Sequence, residues 1–219
     1  MAGKQDFIEF CDDFIGATAP DATGGVGSPW LIDDTSSGGS PAFTLESDNG
    51  GAFKMELAST TEVENVCLHF GDQLPFDIDK IDLVEFMVKT EATLDSATTL
   101  SIGVGSARAD DPDSIAAAAL FKLAGSNSIV VESDDGTTDN DDVATGKSLV
   151  DAYQRLVIDF SGGKSDVKFY VNGARVAAGT TFSMAAYSAG LQPIVQLQKT
   201  SDANTDSVSV DYIRVVCRR

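Results

Sequence analysis

The feature that most limits what this chain can fold into is a hydrophobic period of two residues. Phe53, Met55 and Leu57 alternate with Lys54 and Glu56; Leu100, Ile102 and Val104 alternate with Ser101, Gly103 and Gly105. The same pattern returns at Leu156, Ile158 and Phe160, and again at Val167, Phe169 and Val171. Successive side chains of an extended strand point to opposite faces, so each run offers one oily face to a core and one wetter face outward. Leu83 to Val88 is more uniformly apolar and predicts a central strand. No 20–50-residue repeat is visible, which argues against solenoids and propellers.

Turn chemistry separates these runs. Asn172-Gly173 sits between Lys168–Val171 and Arg175-Val176, and a two-residue Asn-Gly loop favours a type I′ hairpin because both residues tolerate positive φ. With the looser turn Ser161-Gly162-Gly163-Lys164, it predicts a three-strand meander from Arg155 to Ala177. Two polar segments are expected to be long loops, Thr18–Gly27 and Asp33–Pro41, and the stretch Glu132–Asp142 is expected to be an acidic loop. Helical signal is confined to Asp113-Ser114-Ile115 and the alanines Ala116–Ala119, which suit either one capped turn or the start of a strand running through Leu120–Leu123. Strands broken by polar loops at fairly regular spacing predict an all-β, two-sheet antiparallel sandwich. It is expected to be one domain over residues 1–219, with a short N-terminal arm at 1–6.

Composition supports a packed core, since 42% of the 219 residues are hydrophobic. The formal charge of −19 sets phosphate backbones and anionic membranes against the chain, so neither nucleic acid nor a membrane is the expected partner. The N-terminus shows no cationic segment followed by an apolar run, and no apolar stretch approaches the ~18 residues of a membrane-spanning helix. Synthesis in the cytoplasm is expected. Cys11, Cys67 and Cys217 are odd in number and lack metal-ligand spacing, so reduced thiols are expected, with Cys11 and Cys217 as near neighbours if the termini pair.

Side chains with reactive potential are few. His69 is the only histidine, and it shares a strand face with Cys67, an arrangement better suited to a satisfied strand histidine than to a nucleophile and base. Gly24-Gly25-Val26-Gly27-Ser28 lacks the Lys and helix of a phosphate-binding loop. Asp134, Asp135, Asp139, Asp141 and Asp142 are hard oxygen ligands of the kind calcium takes, and Asp202, Asn204 and Asp206 alternate in a second acidic stretch. Neither matches EF-hand spacing. Solvated, self-repelling loops are the first reading and a calcium site the second.

The stretch Tyr153–Phe160, followed by Val167–Gly173, resembles the paired strands of the concanavalin A-like jelly-roll superfamily, which includes laminin-G-type modules, legume-type lectins and many glucanases. The closing run Ser209–Val215 and the opening Asp12-Asp13-Phe14, with Pro29-Trp30 after it, are similar to the same fold. Glucanases of that superfamily carry Glu-apolar-Asp-x-x-Glu on one strand. The nearest match, Lys80-Ile81-Asp82-Leu83-Val84-Glu85, has an ammonium where the nucleophile belongs, and Glu62-Val63-Glu64 lacks the rest. The resemblance therefore implies a protein that is not an enzyme. Within the superfamily, the acidic, leaderless character resembles the decoration or cement proteins of tailed bacteriophages. That likeness implies a virion protein on the outside of the head, contacting the major capsid protein and copies of itself, by analogy as a trimer. The alternative that the superfamily resemblance implies is a lectin-like carbohydrate-binding module, with calcium as its candidate ion, Trp30 as a stacking platform and Tyr170, Tyr187 and Tyr212 available. A lone tryptophan after a proline more often packs at a core edge. No cofactor is expected beyond that calcium.

Overall fold

A computed structural model describes residues 7–15, 19–22, 28–47, 50–91 and 93–219. The expected arm at 1–6 and most of the Thr18–Gly27 loop, including the run from Gly24 to Gly27, lie outside the described residues. Among the described residues sixteen strands follow in order: β1 (Phe7–Asp12), β2 (Leu31–Asp34), β3 (Ala42–Glu46), β4 (Ala52–Glu56), β5 (Glu64–His69), β6 (Phe76–Asp77), β7 (Ile81–Thr90) and β8 (Thr98–Gly105), then β9 (Ala118–Ala124), β10 (Ser128–Asp134), β11 (Asp139–Ser148), β12 (Gln154–Asp159), β13 (Lys168–Val171), β14 (Ala174–Val176), β15 (Gly190–Lys199) and β16 (Ser207–Arg218).

They form two antiparallel sheets. Sheet I runs β14-β13-β12-β7-β16-β4-β3, with β1 also on β16; sheet II runs β11-β10-β9-β8-β15-β5-β2, with β6 also on β15. The apolar positions read from the alternation face each other between the sheets: Phe53, Phe86, Leu156, Ile158 and Phe169 from sheet I meet Leu100, Ile102, Phe121, Val195 and Leu197 from sheet II in one buried cluster. This is a jelly-roll sandwich. β7 is central to sheet I, flanked by β12 and β16. The meander is β12-β13-β14, and its turn has Asn172 at φ 50° and Gly173 at φ 80°, as a type I′ hairpin requires.

Three local expectations change. Glu132–Asp142 is a loop only at residues 135–138: β10 and β11 pair through the rest, Asp134 opposite Asp139. Polar residues there reflect an edge strand, β11, whose carboxylates deter pairing with another sheet. Asp33-Asp34 extend β2, pairing with Cys67 and Val66. The 113–119 region divides between both readings: a single 3-10 turn at Pro112–Ser114, capped by the Asp111 carboxylate, and then β9 from Ala118.

The termini do pair, β1 on β16, yet Cys11 lies opposite Arg214 and Cys217 opposite Ile8. That offset of three positions puts the two thiols on opposite faces of the sheet, because side chains alternate. All three cysteines are free.

Candidate functional site

The outward face of sheet II is built from the alternate residues of its strands. β8 contributes Thr99, Ser101, Gly103 and Gly105; β15 contributes Gln192, Ile194, Gln196 and Gln198; β5 contributes Asn65, Cys67 and His69; β9 contributes Ala118, Leu120 and Lys122. A strap, residues 106–117, leaves β8, crosses this face and returns as β9. Its ends are tied where the Ser106 N–H donates to the Ala117 carbonyl at 2.8 Å. Beneath it lies a second, small apolar cluster of Cys67, Ile115, Ala118, Leu120 and Ile194. Gly105 allows the close fit: a Cβ there would stand 2.7 Å from Ile194 Cδ1 and 3.1 Å from Ile115 Cγ2.

Polar contacts hold the strap down. Asn65 Nδ2 and Gln196 Nε2 donate to the Asp110 carbonyl at 2.9 and 3.0 Å. The buried Arg108 guanidinium reaches Asp33 at 2.9 Å, Asp110 at 2.7 Å and the Thr35 hydroxyl at 3.0 Å. The Thr35 hydroxyl, and then Arg108, hold the Asp110 carboxyl below its ordinary value, so it is ionised at neutral pH. At the other end Lys122 Nζ meets Asp113 at 2.6 Å, Asp142 at 3.2 Å and Glu132 at 3.4 Å. Burial raises Glu132 to about 7, against the pull of Lys122 and with the help of Asp113 and Asp142. Burial alone would lower Lys122, but its bond to Asp113 and the charges of Glu132 and Asp113 outweigh that and raise it.

On the β5 side of the strap a cleft of ≈ 340 Å³ opens, lined by Thr35, Asn65, Thr99, Asp110, Asp111 and Gln198, with Val63 and Ala97 as apolar walls. The Thr99 hydroxyl and the Gln198 amide have no hydrogen-bond partner among the described residues, so their bonding capacity faces the cleft unspent. Its floor is backed by Lys199, which is fully buried and spent on Glu64 at 3.7 Å and on the carbonyls of Ala58, Thr60 and Asn204. The cleft can accept and donate hydrogen bonds to a hydroxyl-rich molecule. Of its carboxylates, Glu64 is bound to Lys199, the Ala58 N–H and the Thr60 hydroxyl.

The residues proposed from sequence are placed elsewhere. Trp30 is 1% exposed, wedged among Phe10, Phe14 and Phe70, with Nε1 donating to Asp12 at 2.8 Å. Its ring has no face free for a sugar, so the reading of Trp30 as a core-packed residue holds and the alternative, a stacking platform, is corrected. Tyr187 donates to the Gly190 carbonyl at 3.0 Å, while Tyr170 and Tyr212 lie on the outer side of sheet I. The five aspartates of the hairpin do not converge. Asp134 accepts from the Gly136 N–H at 2.7 Å, and Asp135 takes three backbone N–H groups, from Thr137, Thr138 and Ala186. Asp142 faces Lys122, and Asp139 is raised by burial and by its neighbour Asp141. In the second stretch Asp202 accepts from the Asn204 N–H, while buried Asp206 accepts from the Asp95 N–H at 2.9 Å and from the Thr98 hydroxyl. Among the described residues no group of three or more such side chains is arranged to hold a metal ion. Backbone N–H groups of their own turns take up Asp134, Asp135 and Asp202.

Cys67 and His69 share the outer face of sheet II as read, but burial pushes the thiol up to about 12 and lowers the imidazole, so neither an anion nor a cation forms there at neutral pH. Asp82 and Glu85 are on the other sheet: Asp82 faces Arg218 at 3.4 Å, and Glu85 accepts from the Tyr212 hydroxyl between Arg155 and Arg214. Sequence reasoning missed the cleft. Its residues are single polar positions on five separated segments, and only the alternation of Thr99/Ser101 and Gln196/Gln198 marked them as one face.

No protein-family model matches the chain, and no curated protein matches it in sequence. Solved structures do match in fold. The chain is similar to the carbohydrate recognition domain of Emp47p, at 12% identity and a TM-score of 0.60 over 91% of this chain and 94% of that one. It is similar to SCLam, a non-specific endo-β-1,3(4)-glucanase of family GH16, at 13% identity and a TM-score of 0.63 over 100% and 94%. A structure from work on endo-acting O-glycanases of the human gut microbiota matches at 12% identity, with a TM-score of 0.65 over 94% and 98%. At these identities the likeness concerns the concanavalin A-like jelly roll, which carries binding domains and enzymes alike.

Proposed function

We propose that this chain is a non-catalytic, lectin-like carbohydrate-binding module whose site is the cleft beside the strap on sheet II. The observation that carries the reading is the unspent polar pair Thr99 and Gln198, set in a cleft with the ionised Asp110 and with Asp111. Carboxylates, amides and hydroxyls are the groups that satisfy sugar hydroxyls, and a concave site with a few placed polar groups is the usual form of a small-molecule pocket. A fold shared with a carbohydrate recognition domain supports it. Glucanase neighbours raise the question of catalysis, but the cleft lacks two opposed, unengaged carboxylates of the kind glycoside hydrolysis uses. The test is a glycan array followed by titration of the best binder: Gln198→Ala and Thr99→Val each weaken binding about tenfold, the scale of one lost hydrogen bond. Chelator leaves it unchanged, and β-glucans are not hydrolysed. Turnover on any β-glucan overturns the non-catalytic assignment.

One feature favours a second reading, the coat-decorating role. The outer side of sheet I places Met87, Tyr170 and Tyr212 beside Arg155, Arg175 and Arg214 on a chain of net charge −19. Tyr, Met and Arg are the residues enriched in protein interfaces. Co-sedimentation with assembled bacteriophage heads, and trimers in analytical ultracentrifugation, test that role.

A further inference from the structure

We propose a second binding site, a slot for an amphipathic carboxylate with a short aliphatic or aromatic body, where the start of β1 meets the end of β16. It is separate from the cleft on the outer face of sheet II. Strand register points to it. On β16, Ile213, Val215 and Cys217 face the space between the sheets, and so do Phe10 and Ile8, the β1 partners of the last two. The cover from the opposite sheet runs out along this row. Ile213 and Val215 are buried, Cys217 is half-buried, and Ile8 is 53% exposed. The gap is a slot of ≈ 260 Å³. Ile8, Phe10 and Cys217 line it from sheet I, and Pro75 and Phe76 from the segment that joins sheet II as β6. Phe76 lies 6.0 Å from Phe10 between ring centroids, and Phe70 packs against both, so the inner wall is aromatic surface. An apolar slot open to water and rimmed by polar groups has the form of a ligand groove.

The rim sets the chemistry of the ligand's other end. Lys80, Arg218 and Arg219 stand there with Asp77. Asp77 accepts from the Asp79 N–H at 3.1 Å, and Arg218 lies 3.4 Å from Asp82. Among the described residues the Lys80 ammonium and the Arg219 guanidinium have no hydrogen bond or ion pair. The Lys80 charge is felt at the apolar wall: burial, Asp77 and Asp82 raise the Cys217 thiol, and Lys80 opposes them. In a chain with 34 acidic side chains against 15 basic ones, two unspent cations beside uncovered apolar surface are an exception that favours an anion. Repulsion from the remaining carboxylates is screened beyond about 8–10 Å at ordinary salt, so the local cations decide the sign. The carboxylate is held by Lys80 and Arg219 through charge-assisted hydrogen bonds, and the apolar body covers Ile8 and Phe76.

Cys217 serves as the reporter. In the full chain carrying Cys11→Ser, maleimide reaches Cys217 and not the fully buried Cys67. Octanoate is expected to slow that labelling saturably. Octanol, with a comparable tail and no charge, is expected to need a concentration roughly tenfold higher, the scale of a lost charge-assisted hydrogen bond, and octyltrimethylammonium is expected to give no protection. Lys80→Gln combined with Arg219→Gln, two exposed side chains without partners among the described residues, is expected to bring octanoate down to the level of octanol. Ile8→Asp, which sets a like charge in the slot, is expected to abolish protection by octanoate. Equal protection by octanoate and octanol in the parent, or an unchanged octanoate response in the double variant, overturns the proposal. Labelling that octanoate does not slow overturns it as well. A Cys217 that resists maleimide without ligand shows that the chain itself fills the slot, and protection that grows with protein concentration shows a second copy there; either result also overturns it. None of these outcomes bears on the glycan titration.

Discussion

Replacing Lys199 with methionine is expected to remove a large share of the fold's stability. The ammonium is completely buried on the inner side of β15, and it gathers three separate segments: the carbonyls of Ala58 and Thr60 before β5, the Asn204 carbonyl before β16, and Glu64 on β5 itself. Methionine keeps the apolar stem and deletes the charge. Glu64, also fully buried, then retains only the Ala58 N–H at 2.7 Å and the Thr60 hydroxyl at 3.1 Å. Removing one partner of a buried ion pair costs about 3–5 kcal/mol, because the other charge stays in the interior uncompensated. A domain of this size loses roughly 2–4 °C of Tm per kcal/mol, so Tm should fall by about 6–20 °C. Urea unfolding measures it directly, as a lowered midpoint at unchanged slope. The double variant Lys199→Met/Glu64→Gln should recover at least ~1 kcal/mol relative to the sum of the single changes, since the stranded charge is gone. A Lys199→Met protein within ~1 kcal/mol of the parent, or strict additivity in the double variant, refutes the reasoning.

Glu132 gives a pH signature: its folded pKa of about 7 lies above the ordinary 4.5, so the folded state holds the proton more tightly, and stability is lost as pH rises from ~4.5 through 7. Glu132→Gln should match the parent near pH 4 and exceed it near pH 8 by on the order of 3 kcal/mol in urea unfolding; equal curves at both pH values contradict the assignment. Trp30→Ala should cost about 3–5 kcal/mol by opening the aromatic cluster, while Trp30→Phe leaves glycan affinity unchanged in the same titration. Arg108→Ala removes charged hydrogen bonds worth about 1.5–3 kcal/mol each and should speed amide exchange over residues 108–116 at least tenfold, with β12 and β13 unaffected.

The sandwich was legible because its signals are local. Alternation at Phe53–Leu57, Leu100–Val104 and Leu156–Phe160 places every one of those apolar residues in the shared core, and Asn172-Gly173 makes its turn through backbone freedom that no distant contact is needed to supply. Acidic segments were less legible. A run of aspartates reads alike whether it caps turns, edges a strand or coordinates a cation, and the difference lies in which N–H or ammonium groups arrive from elsewhere: Ala186 for Asp135, Lys122 for Asp142. Trp30 shows the same limit, because its phenylalanine neighbours come from β1, from Phe14 just after it and from Phe70 just beyond β5.

Period-two patterning and turn chemistry are properties of neighbours along the chain, so the residues alone determined that this protein is built of strands with one oily face each. Which strands lie side by side, and that residues 106–117 fold back over sheet II to leave a walled cleft, was decided in three dimensions. Those features rest on contacts between positions such as Asn65 and Asp110 or Lys122 and Asp142, whose pairing depends on the assembled sheets and not on spacing along the chain.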